Sequence, residues 1–220
     1  MRTTYLKEAS YSFCSTTCIL TRTSAPHDRV TAEKAICLQK EPLMSNVFSH
    51  YLHSDFSWDS LGDIKTGRGN LGEEMPVLVY RLMEYSLNDV LVKKEGQEYS
   101  NEIFRKAGWL AGSEFAKNAL DLTLDTDEFV SSLQKTLAEL KIGILRMEQF
   151  DHETGEFILT IAEDLDCSGL PPTNEVVCTY DEGFLAGILH AYSGKTYRVR
   201  EIDCWANGAR VCRFSGIVES

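Results

Sequence analysis

Residues 197–214, YRVREIDCWANGARVCRF, decide how the end of this chain folds. Asn207-Gly208 sits between two β-prone runs, and both residues tolerate positive φ, so the pair predicts a hairpin turn of two or three residues. Tyr197 to Val199 would then form one strand and Val211 to Phe214 the other. That turn brings Cys204 and Cys212 opposite or diagonal to each other, with Cβ atoms roughly 4.5 to 8 Å apart. Glu201 falls in phase with Tyr197 and Val199, and a carboxylate among apolar neighbours needs a partner when buried. A regular strand would send Glu201 and Cys204 to opposite faces because they are three residues apart. A bulge near Ile202 removes that conflict.

Two readings of the cysteines stand at this point. Buried thiols often act as small hydrophobes, and a facing pair in an oxidising compartment forms a cross-strand disulfide. Alternatively, two thiolates on one tetrahedral zinc lie about 3.8 Å apart, from Zn–S bonds of about 2.3 Å, which the hairpin allows. Cys178 would then come from outside the hairpin to help close the shell. Cys167 lies in the loop DLDCSGLPPTNEVVC, where Pro171-Pro172 forbids regular structure, and is either a substitute ligand or a spectator thiol.

Cys178, Glu201, Cys204 and Cys212, with the Trp205-Ala206-Asn207-Gly208 turn and the Cys212-Arg213-Phe214 ending, resemble the 4-vinyl reductase (4VR) domain family. Their order and spacing are similar to the zinc site of the aromatic-sensing domains of phenol- and xylene-responsive transcription activators. The glycine-rich GRGNLG (67–72) and FRKAGWLAG (104–112) also resemble the family pattern, and the likeness extends from about Leu61 to Val218. The resemblance implies that Cys178, Glu201, Cys204 and Cys212 are zinc ligands. It also implies a fold similar to the nitric-oxide-signalling and Golgi-transport ligand-binding fold. Four protein ligands leave no open position, so the implied zinc is a structural staple.

The surrounding chain sets the frame. At 220 residues it is long enough for one well-packed domain with an appendage. The net charge of −11, from 33 acidic and 22 basic residues, argues against nucleic acid as a partner. Seven cysteines with no secretory signal ahead of them, and no apolar run of membrane-spanning length, predict a cytoplasmic protein with reduced thiols and no membrane partner. Residues 1–43 are Ser/Thr-rich and lack a sustained period, and are expected to be a poorly ordered extension. Residues 44–220 are expected to form the ligand-binding domain. Cys14, Cys18 and Cys37, and the His50, His53, Asp55 group, have metal-compatible residue types, but a loose extension and an aromatic lead-in account for them better.

Three helices are predicted before any strand. The first runs from Pro76 to Lys93, with Val79, Met83, Leu87, Val90 and Leu91 on one face. The second spans 98–118, with a small-residue stripe of Ala107, Gly108, Ala111 and Gly112 that suits close helix packing better than a flat ligand. The third opens at Asp125, capped with Glu128, and buries Phe129, Leu133, Leu137 and Leu140. A hairpin over 142–163, a helix over 180–192 and the terminal hairpin follow, which makes the domain α+β, helices first and an antiparallel sheet after.

No nucleophile with an adjacent base, and no nicotinamide or flavin fingerprint, can be read from the chain, so the reading leans away from an enzyme. An apolar pocket between helices and sheet, with Phe104, Trp109, Phe129 and Phe184 as candidate walls, would take a small hydrophobic or aromatic ligand. The leading expectation is a zinc-stapled sensor or carrier whose output passes through a homodimer or a protein partner. The resemblance also implies two alternatives: a role in tetrapyrrole vinyl reduction or chaperoning, and a dimeric interaction module similar to the TRAPP tethering subunits.

Overall fold

The computed structural model describes residues 56–219. The expectations for residues 1–43, including Cys14, Cys18 and Cys37, and those for His50, His53 and Asp55, lie outside these residues. A single helical turn, α1 (Ile64–Gly67), leads through the glycine-rich turn to α2 (Val77–Glu95), α3 (Gln97–Ala119) and α4 (Thr126–Glu139). The strands β1 (Ile144–Phe150) and β2 (Phe157–Ala162) come next, then α5 (Thr179–Ser193), β3 (Tyr197–Asp203) and β4 (Cys212–Val218). The sheet has the order β1-β2-β4-β3 with every neighbour antiparallel. Helices precede a four-stranded antiparallel sheet, so the domain is α+β.

Local chemistry explains the boundaries. Pro76 occupies the N-cap of α2, where its missing N–H costs nothing. Asp125 caps α4 by accepting from the backbone N of Glu128 at 3.0 Å. Phe129, Leu133 and Leu137 of α4 are buried as their spacing predicts, whereas Leu140, at the C-cap, is exposed. In β2 the alternation Phe157, Leu159, Ile161 puts three side chains into the core.

The centre of the domain is the crossing of α3 and α5, and it follows from glycine. Gly108 and Gly112 of α3 lie against the backbone of Tyr180 and Phe184, and Gly183 and Gly187 of α5 lie against the backbone of Arg105 and Trp109. A Cβ at any of the four would fall well inside contact distance of a main-chain carbonyl oxygen. The small-residue stripe therefore seats a helix. Glu182 locks the same junction: its carboxylate takes Arg105 Nε at 2.8 Å, Arg200 Nη1 at 2.9 Å and the backbone N of Glu201 at 3.0 Å. One buried side chain thus ties α3, α5 and β3 together.

Two expectations are corrected. The apolar face of α2 does not face the core: Val79, Met83, Leu87 and Val90 are exposed, as are Leu78 and Leu82. The inward stripe is polar instead, because Tyr80, Arg81, Tyr85 and Asn88 bind groups on the loop after β2 and on α3. Periodicity identifies an amphipathic helix but not which face finds a partner. The terminal hairpin also lacks a two- or three-residue loop: β3 runs on to Asp203, and residues 204–211 connect it to β4 through a turn of 3-10 helix, Trp205–Asn207. Gly208 closes that turn at φ +100°. The bulge expected near Ile202 is present, since the β3/β4 register shifts between Glu201 and Asp203.

Candidate metal centre and adjoining cavity

The longer connection still gathers the cysteines. Asn207 Oδ1 accepts from the backbone N of Cys204 and of Ala209, at 3.2 and 3.3 Å, and so fixes the turn that carries Cys204. The carbonyl of Ala206 accepts from the backbone N of Thr173 and Asn174, at 2.7 and 3.1 Å, while Trp205 Nε1 donates to Leu170 O at 3.0 Å. These bonds lace the loop after β2 onto the β3/β4 connection. They carry Cys167 to the same point as Cys204, as Cys212 at the start of β4 and as Cys178 at the N-cap of α5.

The sulfurs of Cys167, Cys178, Cys204 and Cys212 all lie within 4.8 Å of one another, and all four residues are buried. Cys178 Sγ is 3.8 Å from the sulfurs of both Cys204 and Cys212. That is the separation of two thiolates on a tetrahedral zinc, about 3.8 Å. Cys167 and Cys212 are 3.0 Å apart, too far for a disulfide bond of about 2.05 Å. The four cysteines are free thiols. Contacts from Cys167, Cys178 and Cys212 hold the Cys204 thiol far below its usual range, while contacts led by Cys167 push Cys178 and Cys212 up. Without a cation the cluster thus favours one thiolate among thiols. A divalent ion is the simplest group that would let all four ionise together.

Glu201, the fourth ligand implied by the resemblance, stands beside this set. Its Oε2 accepts from the backbone N of Cys178 at 2.9 Å, and its Oε1 has no hydrogen-bond partner among the described residues. Burial, opposed by the Cys178 N–H, pushes its carboxyl up to about 8. The structure therefore brings Cys178, Cys204 and Cys212 together with Cys167 as the fourth sulfur. Glu201 buttresses the Cys178 main chain.

A separate cavity of about 170 Å³ lies between α4, α5 and the sheet. Phe129, Leu133, Leu145, Leu159, Leu185 and Ile188 line it, with Thr126, His152, Ser193 and Lys195 as polar members. Of the candidate wall residues, Phe129 lines this cavity and stacks on Tyr192 at 3.8 Å between ring centroids. The others lie elsewhere. Phe104 borders a cleft between α2, α3 and the 175–179 segment, Trp109 faces a groove beside β3, and Phe184 packs on Phe115.

The sulfur cluster sits on the β2–α5–β3–β4 segment, and that segment carries the sequence comparison. Residues 157–217 match the vinyl-4-reductase (4VR) domain. Two uncharacterized proteins of Methanocaldococcus jannaschii are also similar to this chain. One is 25% identical over 103 residues, 47% of this chain and 58% of that protein. The other is 28% identical over 144 residues, 66% and 78%. The chain thus spans little more than half the length of the first.

Among solved structures, the phenol-responsive sensory domain of the transcription activator PoxR, crystallised with phenol, superposes with a TM-score of 0.50 at 19% identity, covering 66% of this chain and 77% of that one. A vinyl-4-reductase family protein from M. jannaschii gives 0.51 at 15%, covering 76% and 99%. A trafficking protein particle complex subunit 3 from Naegleria fowleri, covalently bound to palmitic acid, gives 0.53 at 12%, covering 66% and 95%. These three likenesses extend the matched segment to a shared fold that includes the preceding helices.

Proposed function

We propose that this domain binds a small hydrophobic or aromatic molecule in the cavity between α4, α5 and the sheet. Zinc on Cys167, Cys178, Cys204 and Cys212 serves as its structural staple. The observation that carries the reading is the cavity: about 170 Å³, walled by apolar side chains, with its few polar members confined to Thr126, His152, Ser193, Lys195 and two tyrosines. An apolar cavity of about 150 Å³ suffices to take up benzene in another protein, so a single substituted ring is the appropriate scale. The likeness to a phenol-responsive sensory domain supports the same ligand class. Helix α5 joins the two features, because Cys178 caps its start and Leu185, Ile188 and Tyr192 wall the cavity further along.

The test is thermal denaturation of zinc-loaded protein with phenol, toluene and benzyl alcohol. A ligand at tenfold its Kd stabilises the native state by about 1.4 kcal/mol, or roughly 3–6 °C for a domain of this size. Val130→Phe, which fills the cavity from α4, should abolish the shift. If no small aromatic or aliphatic compound raises the Tm of the wild-type protein, the binding reading fails.

A second observation favours an interaction surface. Val79, Leu82, Met83, Leu87 and Val90 leave one side of α2 apolar and exposed. We infer that a second copy of the chain covers it, giving a dimer through which ligand state is passed on. Leu82→Glu should turn a concentration-dependent dimer into a monomer in sedimentation experiments without altering the ligand-induced shift. A wild-type protein that stays monomeric at high micromolar concentration would exclude this role for α2.

A further inference from the structure

Carboxylates crowd one side of the cysteine cluster. Asp164 and Asp166 lie in the loop after β2, Asp181 in the first turn of α5 and Glu84 on α2. Asp164, Asp166 and Asp181 are 3%, 3% and 7% exposed, so they have left water almost completely. Asp164 Oδ1 accepts from the backbone N of Asp166 and Cys167, at 2.8 and 3.3 Å, and Asp166 Oδ1 accepts from Tyr80 Oη at 2.8 Å. Asp166 Oδ2, Asp181 Oδ2 and Glu84 Oε2 are buried with no hydrogen-bond partner among the described residues. Arg81 is nearby, but its guanidinium donates to the main-chain carbonyls of Leu165 and Ser168.

Burying carboxylates without a counter-charge costs several kcal/mol per ion. Four thiolates on one zinc carry a further net negative charge beside them. One carboxylate oxygen each of Asp164 and Asp181, together with Cys178 Sγ, lie within 4.8 Å of one another. Cys178 therefore belongs to two ligand sets at once.

We propose that Asp164, Asp181 and Cys178 form a second divalent-cation site, with the Cys178 thiolate shared between it and the four-sulfur site. The mixed oxygen and sulfur donors select a borderline ion such as zinc or cobalt over magnesium or calcium. Three protein ligands leave this ion a free coordination position, which the four-sulfur site lacks. Asp166 and Glu84 extend the negative wall around it. The shared thiolate makes this inference rest on the sulfur site of the proposed function.

The experiment strips the purified full chain with chelator, reloads it with zinc or cobalt, removes free ion and counts bound metal per chain. The wild type should hold two ions and Asp181→Asn one. Cobalt-loaded Asp181→Asn should keep the sulfur-to-cobalt charge-transfer absorption of the four-sulfur site. Metal-free Asp181→Asn should melt at or above the metal-free wild type, since a buried negative charge has gone, and this shows that the variant folds. Asp164→Asn serves as the second variant. One ion in both wild type and Asp181→Asn would overturn the second site while leaving the staple intact. No ion in the wild type would overturn both.

Discussion

Cys212→Ser is expected to strip the metal from the four-sulfur site and to lower Tm by about 10 °C. The size follows from linkage. Zinc at a free concentration a thousandfold above its Kd stabilises the native state by about 4 kcal/mol, and a domain of this size shifts by roughly 2–4 °C per kcal/mol. Cys212 is the sharpest choice because its sulfur lies close to those of both Cys167 and Cys178, at 3.0 and 3.8 Å. The check is elemental analysis paired with a melting curve. Two further variants identify the fourth ligand. Cys167→Ser should behave like Cys212→Ser, and Glu201→Gln should retain the metal, since Glu201 spends one oxygen on the Cys178 main chain. The reverse pattern would assign the position to Glu201. Cys14→Ser and Cys18→Ser should change neither readout. Full metal content in Cys212→Ser would rule out the four-sulfur site.

Gly112→Ala should destabilise the domain by about 2–3 kcal/mol although alanine is the better helix former. Two effects oppose each other. The propensity gain in mid-helix is about 1 kcal/mol. Against it, the new Cβ would meet the main chain of Phe184, which cannot rotate aside as a side chain can. Overpacking typically costs about 1–3 kcal/mol and more when backbone must move, so the steric effect wins. Gly187→Ala should cost a similar amount. The double variant should cost less than the sum, because one separation of α3 from α5 accommodates both methyl groups. Gly67→Ala, which faces open space, should be close to neutral. Urea denaturation measures all four, and a Gly112→Ala protein as stable as wild type would contradict the close helix crossing.

Much of the fold is legible in the sequence because local chemistry and long-range packing agree there. The Asp125 cap, the 151–155 turn and the alternation of Phe157, Leu159 and Ile161 each have one physical reading, and the structure follows it. The bulge at Ile202 is legible as a conflict: two residues that both need the interior cannot share a face of a regular strand. What escapes the sequence depends on main-chain bonding between distant segments. Cys167 reaches the cluster because Thr173 and Asn174 donate main-chain N–H groups to Ala206 O, a contact that no side-chain pattern announces. The exposed side of α2 escapes for a different reason, since an apolar stripe has the same period whether or not anything covers it. Phe104, Trp109 and Phe184 are aromatic in the right region, but the α3/α5 crossing turns them away from the cavity that Phe129 lines.

The buried run of α5 from Asp181 to Ile188 bears on how the cavity can be reshaped. A helix normally offers a solvent side on which substitutions accumulate freely, but here every position in that run is occupied by the α3 seam, the Glu182 junction, the carboxylate wall or the cavity. The opposite wall is different, because Val130 on α4 and Met147 on β1 are only half-buried and carry none of these duties. A selection for altered ligand preference should therefore draw its changes from Val130 and Met147, leaving Leu185 and Ile188 untouched. The cavity has one wall that is fixed and one that is free to adapt.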